Sequence, residues 1–511
     1  MKYNIKQLHI LFLMALLVLG TGCKKFLEEK DPSNLSPDTY YTLPEHAEAA
    51  IAAAYAQTRF IGNGAGIFVA NFSMLEVVTG TARTETGQNS DLNNLIGLSY
   101  NGDNLLVRNW WNGLYSVIAQ ANMVLDKVPA ITPMDDARKA QILGEARFLR
   151  AWAYHYLVRL YGDVPLITAP QTTESENFLP TRTSSEEVYN LIVEDLTQAE
   201  NAGLPWKDET GRASRAAVSS LLARVYLTMA GFPLNKGASH YALARDKALD
   251  VMTNSGISLF ATYNELHSVN RENQEEHIFQ IQYLATVAGN PMQQLLLPNF
   301  KNVSAWSDEV GSTVPTVQFY NSYEPGDLRA KDREGFFYTS YYDGGSGTLK
   351  PLNAPYIYKH FDVVAHGTAG VPGTTQSDLN WPQIRYAEVL LTYAEAQNRA
   401  DGSPNAQAYS ALNAIRSRAQ IPVLSGLSQT AFEEAVWRER WHELCYEGST
   451  WFDMVRLRKV YNEATNGFDE FVGHRFPDNP TIALAERHLL FPLPTAELRN
   501  NPNLTPQNPG Y

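Results

Sequence analysis

Long apolar stretches and cysteines are both scarce in this sequence of 511 residues. Residues 10–19 form the only long apolar run, and Cys23 and Cys445 are the only cysteines. Ten apolar residues are too few to cross a bilayer, which takes about 20, so the run predicts no transmembrane anchor. Two cysteines also provide no disulfide framework, and the apolar neighbours of Cys445 predict a buried free thiol.

Basic residues are outnumbered by acidic ones. Lys and Arg number 41 against 54 Asp and Glu, which gives a formal net charge of −13 at pH 7. An acidic surface disfavours binding to nucleic acid, and it disfavours binding to anionic membranes through a basic patch. The composition therefore predicts neither kind of partner.

Complete enzyme and cofactor motifs are missing as well. Residues 441–446, WHELCY, begin like a zinc-protease helix, but Tyr446 stands where the second histidine ligand is required. The sequence also has no phosphate-binding loop with Gly-Lys-Ser/Thr and no nucleophile elbow. We therefore predict no metal site, no cofactor and no catalytic residue.

The N-terminus contains the order of features found in a lipoprotein export signal. Two lysines precede the apolar run, and the small residues 20–22 (GTG) lie directly before Cys23. A small residue at that point is what lipoprotein signal peptidase requires, although Gly20 stands where Leu is commoner. We interpret residues 1–22 as a signal peptide and Cys23 as the lipidated first residue of the mature chain. An ordinary secretory signal followed by a chance cysteine is the alternative.

Apolar residues recur every three or four positions over most of the first half, which predicts helices. Gly162 and Pro165 end the longest of them, and Ser184 with Glu187 gives the spacing of a capping box. Paired helices of this length are typical of tetratricopeptide-like repeats. The predicted helices span residues 44–58, 109–128, 135–161, 184–202, 214–230 and 241–252, followed later by 381–399, 405–418 and 429–446.

The middle of the chain has a different character. Between residues 256 and 380, Gly, Pro, Asn and Ser interrupt short apolar runs, which is typical of loops. Residues 277–283, HIFQIQY, alternate between apolar and polar side chains and predict a strand.

Three carboxylates raise the alternative of a surface glycoside hydrolase with an all-helical body. Glu439, Glu443 and Glu447 are four residues apart and share one helix face, and a glycosidase needs two carboxylates at a fixed separation. Arg438 and Arg440 lie among them, however, and favour a face that is ion-paired or solvated.

Five blocks of sequence, taken with the export signal, resemble the SusD/RagB family of outer-membrane nutrient-binding lipoproteins. Their order along the chain matches the family from the signal to residue 511. The blocks are residues 144–165 (GEARFLRAWAYHYLVRLYGDVP), 212–227 (RASRAAVSSLLARVYL), 384–396 (IRYAEVLLTYAEA), 438–456 (RERWHELCYEGSTWFDMVR) and 490–511 (LFPLPTAELRNNPNLTPQNPGY).

The resemblance implies a mainly α fold. Residues 23–255 would form a tetratricopeptide-like scaffold of helix pairs. Residues 256–511 would form an irregular, loop-rich C-terminal part with a few short strands and the ligand loops, packed on that scaffold.

The resemblance also implies a function. Family members bind glycans, or in some cases peptides, at the cell surface, and they pass the ligand to a SusC-type TonB-dependent barrel that they cover like a lid. They have no catalytic residues. Cys23 matches the lipidated position, which implies an outward-facing protein anchored in the outer membrane. A peptide-binding RagB-type member, the glycoside hydrolase and a scaffold that binds only a partner protein are the alternatives.

Ligand specificity is expected in the segments that do not match the family. Residues 62–104 are rich in Gly, Thr and Asn, and residues 300–345 hold ten aromatic residues, twice the average density of the chain. Aromatic faces with polar groups at the rim suit neutral glycans. We expect Trp306 to be the main stacking residue, because its polar neighbours are typical of an exposed loop. The other candidates are Tyr341, Tyr342, Tyr100, Asn104 and Arg83, with packing in small local cores as the alternative.

Overall fold

Helices make up most of the secondary structure. A computed structural model describes residues 40–65, 68–296, 298, 310–343, 346–362 and 377–511. Within these residues no helix is both long enough and apolar enough to cross a membrane. The helices of eight or more residues are α1 (Pro44–Gln57), α2 (Leu105–Lys127), α3 (Asp136–Tyr161), α4 (Ser185–Glu200), α5 (Arg215–Ala230), α6 (Ala238–Asn254), α7 (Tyr386–Asp401), α8 (Ala406–Arg418), α9 (Gln429–Glu443) and α10 (Thr450–Leu457).

These helices pack in chain order, as predicted for a tetratricopeptide-like scaffold. Helix α2 packs on α3, α3 on α4, α4 on α5 and α5 on α6. Helix α6 then packs on α7, which contacts α8 and α9. The helix array that begins in the first half of the chain therefore continues into the second half.

The ends of the helices follow from local sequence. Asp135 caps α3 by accepting a hydrogen bond of 2.8 Å from the backbone N–H of Arg138, and Gly162 ends the helix with a φ of 74°. Ser184 caps α4 in the same way and also donates to the side chain of Glu187 at 2.9 Å. Both boundaries confirm the sequence prediction. Such residues mark helix ends because their side chains satisfy backbone N–H groups that have no partner within the helix.

Some predicted helices differ from the structure at their ends. The helix predicted at 109–128 begins at Leu105, and the helix predicted at 429–446 ends at Glu443, so Glu447 lies beyond it. A third predicted helix, at 381–399, begins as a strand. Residues Trp381–Arg385 form a strand, β6, which leads directly into α7. It pairs antiparallel with β2 (His277–Ile281), the strand that the alternating pattern predicted. Both strands are buried along their whole length. The sequence of β6, WPQIR, has no strand alternation, and its proline is also acceptable in the first turn of a helix, so the local pattern did not reveal the strand.

Among the described residues, the remaining strands form three further antiparallel pairs. Strand β1 (Ala82–Arg83) pairs with β3 (Val314–Pro315), and β4 (Phe337–Tyr342) pairs with β5 (Leu349–Ile357). Strand β7 (Lys459–Asn462) pairs with β8 (Gly467–Glu470). These short pairs join segments that lie between the helices in the sequence.

A single large hydrophobic core joins the two predicted parts of the chain. Its buried residues extend from Ala47 in α1 to Leu504. Cys445 belongs to this core and is fully buried, as predicted, and burial raises the pKa of its thiol to about 11. The second part of the chain is therefore packed on the first through shared apolar contacts.

Arg385, at the end of β6, is the centre of a buried network of ion pairs. Its guanidinium lies 2.5 Å from Glu276, 3.2 Å from Glu443 and 2.7 Å from Glu447. Arg418, at the end of α8, pairs with Glu276 and lies 2.7 Å from Glu443. The network joins β2, β6, α8 and α9.

The same network reaches the loops that precede β4 and follow β5. Lys359 lies 2.5 Å from Glu447, and Arg329 lies 2.9 Å from Glu439. Arg416 pairs with Glu439 from the opposite side at 2.5 Å. Buried charges are costly unless they are paired, so these contacts fix the loops against the helices.

We expect Arg385→Met to lower the free energy of unfolding by about 3–5 kcal/mol, because it leaves three buried glutamates without their shared partner. Chemical denaturation followed by circular dichroism measures this change. The matched control is Lys331→Met, which removes a pair with Glu334 whose side chains are 52% and 53% exposed. The control should change stability by less than about 1 kcal/mol. Equal effects of the two substitutions would contradict the role given to the network.

Candidate ligand-binding site

The two segments in which ligand specificity was expected lie next to each other. Strand β1, from residues 62–104, pairs with β3, from residues 300–345, and places Arg83 opposite Val314. Beyond the strands, the backbone N–H of Glu85 donates to the carbonyl of Gly311 at 2.8 Å. We use the name loop face for residues 82–86, 310–315, 337–343 and 349–361, which lie together around these contacts.

Several aromatic residues of the loop face fill a small core beneath it. The ring centroids of Tyr338 and Tyr356 are 5.6 Å apart, and those of Tyr358 and Phe361 are 4.9 Å apart. All four side chains are buried around Val314. Part of the aromatic enrichment that suggested a glycan site therefore has a packing role.

Polar side chains surround this small core. Arg83 lies 3.4 Å from Glu85, and the hydroxyl of Tyr356 donates to Glu85 at 2.7 Å. Burial and the neighbouring Glu85 raise the pKa of Tyr356 above its ordinary value. Lys350 pairs with Asp343 across the turn between β4 and β5. The side chains can offer both hydrogen-bond donors and acceptors to a ligand.

Glu85, Tyr356, Lys350 and Asp343 were not among the residues singled out from the sequence. Glu85 could have been found, because it lies two residues from Arg83 in an extended segment and therefore projects to the same side. Lys350 and Asp343 meet only because β4 and β5 form a hairpin, which a Gly- and Ser-rich stretch alone does not establish.

The predicted site residues of the hairpin and of β1 do lie on the loop face. Arg83 is half-buried, and Tyr341 is 9% exposed and lies opposite Lys350 in the β4–β5 ladder. Tyr342 follows on the same strand, opposite Leu349. Trp306 and Cys23 lie outside the described residues.

Tyr100 and Asn104 have structural roles, which corrects their assignment as ligand contacts. Tyr100 is 1% exposed, and its ring lies 5.2 Å from that of Phe491 and 5.9 Å from that of Tyr511. Asn104 caps α2 by accepting hydrogen bonds from the N–H groups of Leu106 and Val107. Both side chains are used within the protein, so neither offers a surface to a ligand.

The three glutamates that suggested a glycosidase are ion-paired. Glu439 contacts Arg329 and Arg416, and Glu443 contacts Arg385 and Arg418. Burial alone would raise the pKa of Glu447, but Arg385 and Lys359 reverse this effect and lower it to about 2. These carboxylates hold the fold together, and the expected ion pairing is present. Their partners come from remote segments, whereas Arg440 pairs with Asp453 and Arg438 donates to the carbonyl of Asn466.

Two family models match this chain. The model described as the SusD family matches residues 330–511, and the model described as starch-binding associating with outer membrane matches residues 25–227. Together they include most of the helix array and the C-terminal part. Residues 228–329, which contain β2 and β3, lie between the two matches.

Known proteins resemble the chain over nearly its whole length. SusD-like protein P2 of Formosa agariphila is 28% identical, with 99% of this chain and 100% of the relative aligned. The crystal structure of a SusD superfamily protein from Parabacteroides distasonis is 36% identical, with a TM-score of 0.86, and covers 94% of this chain and 100% of its own. A laminarin binding SusD-like protein shares the fold, with a TM-score of 0.74 and 24% sequence identity. The match covers 92% of this chain and 100% of that protein's chain. The chain described here belongs to the SusD family.

Proposed function

We propose that this protein is an outward-facing lipoprotein of the outer membrane that captures a glycan and delivers it to a SusC-type TonB-dependent barrel. One of the matching family models is described as starch-binding and outer-membrane-associated, and a structural neighbour is described as binding laminarin. Both descriptions support a glycan, and Cys23 after the export signal supports a lipid tether.

The observation that carries the proposal is that the two segments expected to determine specificity, residues 62–104 and 300–345, contact each other at the loop face. The segments that depart from the family blocks are brought together by the pairing of β1 with β3. Arg83, Glu85 and Tyr356 form a linked set of donors and acceptors there. Such a set can orient sugar hydroxyls, and an aromatic ring beside it would supply the stacking surface.

We propose Trp306 as the stacking residue on the basis of its polar neighbours in the sequence, with Tyr342 of the β4–β5 hairpin as the second candidate. Tyr341 is 9% exposed and would offer only its edge. Stacking on a flat ring tolerates different glycans, so the polar residues of the loop face would select among them. The ligand is held without being cleaved in this proposal. A peptide is the alternative ligand for the same face.

Calorimetric titration with starch, laminarin and xyloglucan oligosaccharides tests the capture step. We expect at least one of them to bind and to be recovered intact. New reducing ends during the titration would show cleavage and contradict a binding protein, whereas binding of short peptides alone would favour the alternative ligand.

We expect Trp306→Ala to weaken glycan binding by about 1–3 kcal/mol, because a stacking residue at the centre of a site contributes much of the affinity. The melting temperature should change little, since substitutions in exposed loops rarely alter stability by more than about 0.5 kcal/mol. The matched control is Trp206→Ala, because Trp206 is half-buried beside Arg215 on the helix array. If the melting temperature of Trp306→Ala falls steeply while the affinity is kept, Trp306 is a core residue.

We expect Cys23→Ala to release the protein from the membrane fraction, because acyl chains on this thiol would be the tether. Fractionation of cells followed by a salt wash and immunoblotting measures the release. Cys445→Ala is the control and should remain with the membranes. A Cys23→Ala protein that stays in the washed membrane pellet would contradict the lipid tether.

Delivery to a barrel is tested by purification from detergent-solubilised outer membranes of the source organism. A tagged copy of the chain should co-purify with an integral outer-membrane protein in a constant ratio. Recovery of the chain alone under mild detergent conditions would contradict the transfer step and leave capture as the function.

A further inference from the structure

A large concavity lies away from the loop face. It is a cleft of about 1270 Å³ between the helix array and the C-terminal segment. Its walls are formed by α3, α4, α5 and α10 and by residues outside these helices, none of which belongs to the loop face. These further residues lie within 162–163, 181–182, 232–233, 458, 470–472, 486–490 and 503–509. Ligand pockets for drug-sized molecules usually measure about 300–1,000 Å³, so this cleft has room for several sugar rings.

Arginines without an acidic partner line this cleft. Arg159, Arg182, Arg458 and Arg487 all face it, and among the described residues none of the four has a carboxylate oxygen within 4.0 Å. Arg456 also contributes to the wall, but it is neutralised by neighbouring carboxylates in the core. The buried arginines of the ion-pair network are all paired with carboxylates, whereas these four are held by other contacts.

Arg458 has the least support from its surroundings. Its guanidinium makes no hydrogen bond within the described part of the chain, and its Nη1 is buried without a partner. Its backbone φ is 58°, in the left-handed region, where glycine is the least strained residue. The fold gains little from an arginine at this position, and leaving a buried donor unpaired costs stability.

The side chain of Arg458 lies beside an exposed aromatic ring. Its guanidinium carbon is 5.0 Å from the ring centre of Phe232, and Phe232 is 42% exposed. The backbone holds this ring in place, because Phe232 donates from its N–H to the carbonyl of Arg456 at 3.0 Å. Gly231 permits the approach, since a Cβ there would lie 2.8 Å from that same carbonyl oxygen.

Arg159 forms the inner wall of the cleft. Its Nε donates to the carbonyl of His155 at 2.8 Å, and its guanidinium carbon lies 3.6 Å from the ring centre of Phe452. Burial lowers the pKa of Arg159 to about 10, so the group stays charged at neutral pH in a setting that disfavours the charge. An anion in the cleft would offset that cost.

The acidic residues of the cleft form no ion pair with these arginines, although Glu486 and Asp163 lie near enough to favour the charges of Arg458 and Arg182. Asp163 accepts two hydrogen bonds of 2.7 Å from Ser185, and Glu470 pairs with Lys459. Glu486 is exposed at the rim. The cleft therefore concentrates positive charge in a chain whose net charge is −13.

We propose that this cleft binds an anionic oligosaccharide whose carboxylate or sulfate groups pair with Arg458 and Arg159 while a sugar ring lies on Phe232. Guanidinium groups recognise planar carboxylates and sulfates through paired hydrogen bonds, and the adjacent exposed ring offers the flat apolar face that a sugar needs. An acidic peptide would use the same charges but would not need the exposed ring. The site is separate from the loop face and does not depend on the function proposed for it.

Calorimetry with matched pairs of ligands tests the proposal. Tetragalacturonate is compared with its fully methyl-esterified form, and a sulfated carrageenan tetrasaccharide is compared with its desulfated form. We expect one of the charged ligands to bind, its neutral counterpart to bind at least about tenfold more weakly, and the affinity to fall as salt increases. Binding of tetragalacturonate would identify the recognised group as a carboxylate, and binding of the carrageenan tetrasaccharide would identify it as a sulfate.

Arg458→Gly is the decisive variant. It removes the charge and also relieves the left-handed backbone, so the melting temperature should be kept while the affinity for the charged ligand falls about tenfold. Arg458→Met keeps the length of the side chain without its charge and should show the same loss if the glycine variant folds poorly. Arg108→Ala, at an exposed position on α2 outside the cleft, is the matched control and should bind as the unmodified protein does.

The proposal is overturned if neither charged saccharide binds, if charged and neutral forms bind equally, or if Arg458→Gly and Arg458→Met keep full affinity. Binding of hexaglutamate in place of both saccharides would also overturn it, since the cleft would then be a peptide site. Trp306→Ala separates this cleft from the loop face, because it should not alter binding of the anionic ligand.

Discussion

The balance of charge around Arg385 and Glu443 is the constraint on which the arrangement of the second half of the chain depends. Charges buried this deeply are stable only when each has its partner in place. Arg385 ends β6, Glu276 precedes β2, and Glu443 ends α9, so these three elements can meet in one register only. Lys359, two residues after β5, extends the same balance to the loop face. The position of that face is therefore set by electrostatics in the core.

The helix array and the exposed surfaces are under different constraints. The helices of the array must bury one another, which limits the side chains that are acceptable on their contact faces. The loop face and the arginine cleft include side chains that this packing does not fix. The first presents a balanced set of donors and acceptors around Arg83, whereas the second presents positive charge without an ion-pair partner around Arg458. Two surfaces of different electrostatic character on one scaffold are suited to ligands of different charge.

Much of the fold could be predicted from the sequence, because caps and apolar spacing act locally. Asp135, Ser184 and Gly162 mark helix ends where they were expected. The strand at Trp381 was missed because its pattern is set by burial against β2, more than 100 residues earlier in the chain. Tyr100 was misassigned for the same kind of reason, since its partners Phe491 and Tyr511 are remote in sequence. Arg458 carries no local signal, because an unpaired arginine is recognised only when its neighbours are known.

Residues 491–511 complete a layer of the core that begins near Tyr100. The backbone N–H of Phe491 donates to the carbonyl of Leu160, and the side chain of Asn508 donates to the carbonyl of Tyr161 across 347 residues of chain. During synthesis, the end of α3 and the ring of Tyr100 therefore stay uncovered until this last segment has emerged. The first helices cannot mature as an independent unit, and for most of its synthesis the growing polypeptide presents apolar surface that chaperones can hold.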